Sequence, residues 1–144
     1  MKMNFNDLYA YDVSEGALFV LFVLVLLSHP ESPDFFALDN VDNALNPGLV
    51  KNLMAHLADI IEDNNNKQVL LTTHNPTTLD AIDLFNENHR LFVVSRANDG
   101  QTVIKRIAPP KGMDKSGWED KYFGLKLSEI WLSGAIGGLP TGFK

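Results

Sequence analysis

Phe35 to Pro47 reads FFALDNVDNALNP. Four apolar residues run without interruption into a carboxylate, Asp39, and a polar, turn-rich segment follows. Consecutive rather than alternating apolar residues are expected of a short strand buried on both faces, as in a parallel sheet. Asn46 and Pro47 then supply a helix N-cap and a first helical residue. From Pro47 the residues Leu49, Leu53, Leu57 and Ile60–Ile61 recur at helical spacing, fading at Asn64–Asn65–Asn66.

The same grammar continues downstream. KQVLLTTH, Lys67 to His74, is a second buried strand, and NPTTLDAIDLF repeats the Asn-Pro device to start a short helix. HRLFVVSR is a third strand, Asn98–Gly100 a tight turn, and QTVIKRI an alternating fourth strand expected near a sheet edge. Upstream, Ser14 to Ser28 reads as a helix ended by His29–Pro30. Its ALFVLFVLVLL run is shorter than the roughly 20 residues of a membrane span. Asp12 and Glu15 precede it in place of a basic flank, against a signal peptide. It is therefore expected to be a core helix covered on every side. Strand, helix, strand, helix, strand predicts an α/β fold with a mostly parallel sheet flanked by helices. The segment from Trp118 onward reads as a short helical tail with aromatic anchors and a loose glycine-rich end.

Composition narrows the function classes. The 144 residues carry a net charge of −6 and no cysteine. An acidic surface repels phosphate backbones, so direct nucleic-acid binding by this chain alone is not expected. The lack of cysteine removes disulfides and thiolate metal sites and fits a reducing compartment such as the cytoplasm. His29, His56, His74 and His89 show no metal-ligand spacing. Glu62–Asp63 reads as a solvated face, and Lys105–Arg106 is too small for a nucleic-acid patch. No G-x-S-x-G elbow is present.

Chemistry in parallel sheets gathers at the carboxyl ends of the strands, where Asp39 and His74 both lie. Asp39 is suited to a magnesium ion beside nucleotide phosphates, but capping a turn between strand and helix is the commoner use of such a residue. His74 could reach a terminal phosphate or its attacking water, or be a strand-end histidine satisfied by backbone. In VSEG, Val13 to Gly16, Ser14 caps a helix whose free N–H groups form an anion site, and Gly16 permits close approach. An ordinary N-cap explains the same residues.

Taken in order, VSEG, FFALDNVDNALNP and LLTTHNP resemble the second half of an ABC-type ATPase head. The style is that of SMC-like and AAA-type ATPases of the broad RecF/OLD group, whose order is signature motif, Walker B, D-loop and switch histidine. The resemblance runs from Tyr11 to about Asp83. The later KLSEIWLSGAIGG resembles the closing segment of ATPases in bacterial anti-phage systems such as Septu and retron-associated ones. The resemblance implies that Ser14 and Gly16 contact the γ-phosphate of a nucleotide held by an opposite protomer. It makes Asp39 the Walker B acid near Mg2+ and places Asn40 where the family has its catalytic glutamate. Asp42, Asn43, Ala44, Leu45 and Asn46 would form the D-loop, with Asp42 a candidate substitute acid, and His74 would be the switch histidine. Residues 1–110 would be the C-terminal ATPase lobe and 111–144 its tail. ATP and Mg2+ are the implied cofactors. A P-loop-bearing lobe or chain, further copies of the head and, for the defence subgroup, a nuclease are the implied partners, with no membrane.

Two departures shape these expectations. No G-x-x-x-x-G-K-[ST] occurs in the sequence, so the main triphosphate grip is missing and the fold expected is a partial P-loop NTPase lobe without its Walker A half. Asn40 cannot take a proton as a carboxylate does, and general-base catalysis is worth about 10²–10⁴-fold. The expectation is a slow ATPase, active only when completed by a P-loop lobe and used as a switch. The competing expectations are a non-catalytic scaffold or regulatory subunit built on a degenerate ATPase fold, and a remnant without a role.

Overall fold

A computed structural model of the chain describes residues 13–43, 45–63, 67–97 and 99–137. They form helix α1 (Glu15–Ser28), strand β1 (Phe35–Leu38), helix α2 (Pro47–Asp63) and strand β2 (Gln68–Leu71). A 3-10 helix (Pro76–Ala81), strands β3 (Leu91–Arg96) and β4 (Thr102–Ile107), and helices α3 (Lys115–Lys121) and α4 (Leu127–Leu132) follow. The chain divides into two compact units that meet at His74–Asn75. The sequence reading divides it at 110–111 on motif content.

In the first unit β1 and β2 pair in parallel, with Phe36 opposite Val69 and Leu38 opposite Leu71. Those four residues share the covered face: Phe36 and Leu38 are buried, and Val69 and Leu71 half-buried. Helix α1 packs against α2. The buried side chains of the unit come from α1 (Val23, Leu27), β1, the loop after it (Val41, Leu45) and α2 (Val50, Leu53, Met54, Leu57). The Asn-Pro reading holds at both places. Asn46 Oδ1 accepts from the Leu49 N–H at 2.9 Å, and Asn75 Oδ1 from the Thr77 N–H at 3.0 Å. Each proline then starts its helix without removing a needed donor.

The α/β class stands, with a small parallel sheet and helices beside it. Three finer expectations are corrected. β3 does not extend the parallel pair but runs antiparallel to β4 as a separate two-stranded sheet, with Val94 opposite Ile104. The short connection across Ala97–Gln101 allows a hairpin and no crossover. β1 is not buried on both faces: Phe35 is 58% exposed, and on the same face of the pair Leu70, opposite Ala37, is 51% exposed. Nor is α1 covered on every side. Gly16, Val23 and Leu27 are buried at helical spacing, while Leu21, Phe22 and Val25 are each more than half exposed. Consecutive apolar residues state a preference for burial, and the described residues supply cover for one side only. No helix among the described residues is long and apolar enough to cross a membrane.

The second unit is organised around Ile107, Trp118, Leu127, Ile130 and Ile136. The aromatic anchors are Trp118 and Tyr122, whose ring centroids lie 4.5 Å apart, with Phe85 meeting Trp118 edge-on at 6.2 Å. Asp80 of the 3-10 helix accepts from the Ser128 N–H at 3.0 Å and so satisfies a free donor at the start of α4. The loop after the 3-10 helix folds around Asp83. Its Oδ1 accepts from the Phe85 N–H at 2.9 Å, its Oδ2 lies 3.2 Å from Lys115 Nζ, and its own N–H donates to His89 Nδ1 at 3.1 Å.

Two outcomes are expected. Leu57→Ala lowers stability by roughly 2–5 kcal/mol, the usual cost of emptying a buried leucine site. Leu21→Ala changes it by less than about 0.5 kcal/mol, as at an exposed position. Urea denaturation of the 144-residue chain reads both. A further outcome concerns pH. The Phe85 N–H, helped by Lys115 and opposed by partial burial, holds the Asp83 carboxyl below the usual aspartate range. A depressed folded value means that the unfolded chain takes the proton first as pH falls. The contribution is therefore present above the ordinary aspartate value of about 3.9 and is lost as pH drops through the lower folded value. Asp83→Asn is expected to make stability less dependent on pH below about 4, in urea midpoints measured along an acid series.

Candidate functional site

β1 ends at Leu38, and the next residue, Asp39, lies exposed at the carboxyl end of the parallel pair. The ladder continues one step beyond the strands, because the Thr72 N–H donates to the Leu38 carbonyl at 3.0 Å and the Val41 N–H to the Thr72 carbonyl at 3.2 Å. This extension brings the Thr72 side chain to Asp39. The Thr72 hydroxyl donates to Asp39 Oδ1 and accepts from the Asn40 N–H at 2.9 Å. The Asn40 amide Nδ2 donates to Asp39 Oδ2 at 3.4 Å. Both carboxylate oxygens thus have a fixed donor on one side.

Asn40 has φ of +50°. That left-handed conformation is costly for most side chains and is tolerated best by Gly, Asn and Asp. It turns the chain out of the strand direction, and the Asn43 N–H closes the turn on the Asn40 carbonyl at 3.0 Å. Val41 and Leu45, both buried, pin the loop from below. Asp42 points elsewhere: its Oδ1 accepts from the Thr73 hydroxyl at 2.9 Å. Asn46 is occupied as the cap of α2. Ala44 lies outside the described residues.

An open cleft of about 230 Å³ is lined by Glu15, Phe19, Asp39, Asn40, Val41 and Asn43. It brings the first turn of α1 together with the end of β1. Ser14 accepts from the Ala17 N–H at 3.2 Å and caps that turn, and Gly16 is buried within it. Of the residues singled out in the sequence, Asp39, Asn40 and Asn43 line the cleft. Ser14 and Gly16 flank its Glu15, while Asp42 and Asn46 are held by other partners. His74 is exposed and follows Thr72–Thr73 directly. Sequence reasoning missed Glu15, Thr72 and Thr73. The signal for the threonines lay in the parallel register: if Leu38 faces Leu71, the residue after each strand faces the other.

The donor set suits a hard cation. Mg2+ typically takes one or two carboxylates and completes its shell with water and substrate phosphates. An exposed, oriented Asp39 with the Asn40 and Asn43 amides nearby fits that pattern, and the described residues hold no group of three or more acidic, histidine or cysteine ligands that would form an all-protein cage. Asp39 could hold Mg2+, and Glu15 brings a second carboxylate to the same cleft. A triphosphate does not fit this chain alone, because the glycine-rich backbone cradle and its lysine are absent from the sequence.

Residues 6–80, more than half of the chain, match the family described as "AAA domain, putative AbiEii toxin, Type IV TA system". The chain belongs to this AAA-domain family. The matched region contains every candidate residue from Ser14 to His74. Membership supports a nucleotide-binding, ATPase-type domain, and such domains generally bind ATP with Mg2+. A solved chain described under "Structural biochemistry of ATP-driven dimerization and DNA stimulated activation of SMC ATPases" is similar at 19% identity with a TM-score of 0.49. The similarity covers 81% of this chain and 65% of that one, so this AAA-domain chain spans less than two thirds of the solved chain's length. No curated protein matches.

The turn at Asn40 gives a direct check. Asn40→Gly and Asn40→Val both remove the amide, but only valine meets the left-handed penalty. Asn40→Gly is expected to melt at or above the wild-type temperature, and Asn40→Val to lose about 1–2 kcal/mol. Thermal melts followed by circular dichroism decide it.

Proposed function

We propose that this AAA-domain chain is one lobe of a composite ATPase, supplying the signature, Walker B and switch-histidine side of a site whose triphosphate grip comes from a P-loop-bearing lobe or chain. The observation that carries it is the cleft in which an oriented Asp39 at a parallel strand end faces the first turn of a Ser-capped helix. In this reading residues 1–110 form the lobe and 111–144 its tail. Asp39 is the Mg2+-side acid. Ser14 and Gly16 address the γ-phosphate of a nucleotide on an opposing head. Asp42, Asn43, Ala44 and Asn46 belong to the loop that meets that head, so the active form is an oligomer of heads. Thr73 braces that loop through Asp42. His74 reports on the terminal phosphate.

The chemistry open to this chain's own residues is limited. Bound Mg2+ would neutralise phosphate charge and polarise the terminal phosphate. Asp39 positions that cation, and the helix N-terminus of α1 offers N–H groups to an anion. Asn40 can hold a water by hydrogen bonds but cannot take its proton. Turnover is therefore slow and the nucleotide-bound state long-lived, which suits a switch. An anti-phage role with a nuclease partner, in the cytoplasm, extends this reading on the resemblance of motifs and closing segment.

A second reading is a scaffold or regulatory subunit in which the degenerate site does no chemistry. The exposed apolar surface of α1 and of the parallel pair favours a partner under either reading.

Reconstitution separates them. The chain is mixed with a P-loop lobe and ATP turnover is measured. Turnover abolished by Asp39→Ala and raised by Asn40→Glu, toward the 10²–10⁴-fold that a general base typically contributes, is the expected result. A mixture that binds but shows no Asp39-dependent turnover supports the scaffold. A rate unchanged or lowered by Asn40→Glu would show that position 40 is not the base position.

A further inference from the structure

We propose that Thr72 is a positioning residue for the site: its hydroxyl orients the Asp39 carboxylate toward a divalent cation and locks the Asn40 turn beside it. This rests on the reading of Asp39 as the cation-side acid.

Thr72 makes four hydrogen bonds to the other strand end, and they divide by function. Its N–H to Leu38 and its carbonyl from Val41 are backbone contacts that any residue could make. The other two need a side-chain hydroxyl at this position, because one atom must donate to Asp39 Oδ1 while accepting from the Asn40 N–H. A hydroxyl does both; an aliphatic side chain does neither. Fixing one carboxylate oxygen from the protein side leaves the remaining lone pairs aimed away from Thr72. It also spares the carboxylate the entropy of being ordered when a cation arrives. Partners of this kind behind a metal ligand typically alter metal affinity by 10–100-fold. Thr73, the next residue, holds Asp42 in the same way, its hydroxyl donating to Asp42 Oδ1. The two threonines therefore separate general support of the loop from orientation of the acid.

The test uses the 144-residue chain, labelled with nitrogen-15 and titrated with Mn2+ as the probe, with broadening of amide signals near Asp39 as the readout. In the wild type the amides of Leu38 to Val41 and of Thr72 are expected to broaden first, and Asp39→Asn to abolish that preference. Thr72→Val is expected to raise the Mn2+ midpoint about tenfold, Thr72→Ser to restore it, and Thr73→Val to leave it unchanged. Spectral dispersion shows which variants fold, and Thr72→Ala serves if valine does not. A folded valine or alanine variant shifted by less than about twofold, against that tenfold expectation, overturns the role of Thr72. So does a shift equally large in Thr73→Val, which would mark mere support of the loop. Broadening that survives Asp39→Asn, or is absent from the wild type, removes Asp39 as the cation-side acid and the proposal with it. Because the probe needs no nucleotide, these results are independent of whether a P-loop lobe completes an ATPase.

Discussion

The parallel pairing of β1 with β2, Leu38 opposite Leu71, is the constraint from which the rest of the site follows. Two parallel strands that end in register point their next residues the same way. Asp39 and Thr72 are those residues, and the ladder runs on past them through the Thr72 and Val41 N–H groups. The chain must then leave in two directions. At the first exit Asn40 adopts a left-handed turn, and Asn46–Pro47 restart the chain as α2. At the second, Asn75–Pro76 begin the 3-10 helix. An Asn-Pro pair suits each place because the amide side chain takes up a free helix donor and proline fixes φ without wasting a needed N–H. The strand ends are left open, which is why polar groups there can face a ligand.

How much of this was legible from sequence depends on whether a property is local. Helix caps, strand identity and Asp39 at a strand end rest on neighbours a few residues away, and they were read. The pairing of β3 was not, because a run such as LFVVSR fits a parallel or an antiparallel neighbour equally well, and the short turn at Ala97–Gln101 decides for the hairpin. The cover of α1 was not legible either. A helix apolar all round carries no phase to say which side is packed, and only Gly16, Val23 and Leu27 turned out buried. Thr72 and Thr73 were silent for a different reason. A hydroxyl has no period, and its value appears only when the register of two strands 33 residues apart is known.

Asn40 shows local structure and chemistry agreeing. Its φ of +50° favours Asn over Glu, and its amide donates to the carboxylate beside it. A glutamate there would meet the left-handed penalty and set two negative charges side by side. A bound cation offsets the charge but not the backbone strain. Asn40 thus stabilises the turn, and in the proposed ATPase the same residue would also withhold the base that rapid hydrolysis needs. Under that proposal stability and speed pull in opposite directions at this one position.

The incomplete site and one uncovered apolar surface lie on the same compact unit. Leu21, Phe22 and Val25 of α1 and Phe35 and Leu70 of the parallel pair are each more than half exposed, and neither strand of the pair has a second neighbour among the described residues. A chain of net charge −6 is protected by repulsion from random association, yet unpaired strand edges and apolar faces remain templates for pairing. In the proposed ATPase one occupant answers both needs: a lobe whose backbone cradles phosphate and whose apolar face covers the sheet. A scaffold partner would answer only the second. Coupling between cation binding at Asp39 and burial of the α1 face would therefore distinguish the two, because a single occupant links them thermodynamically and a scaffold partner leaves them independent.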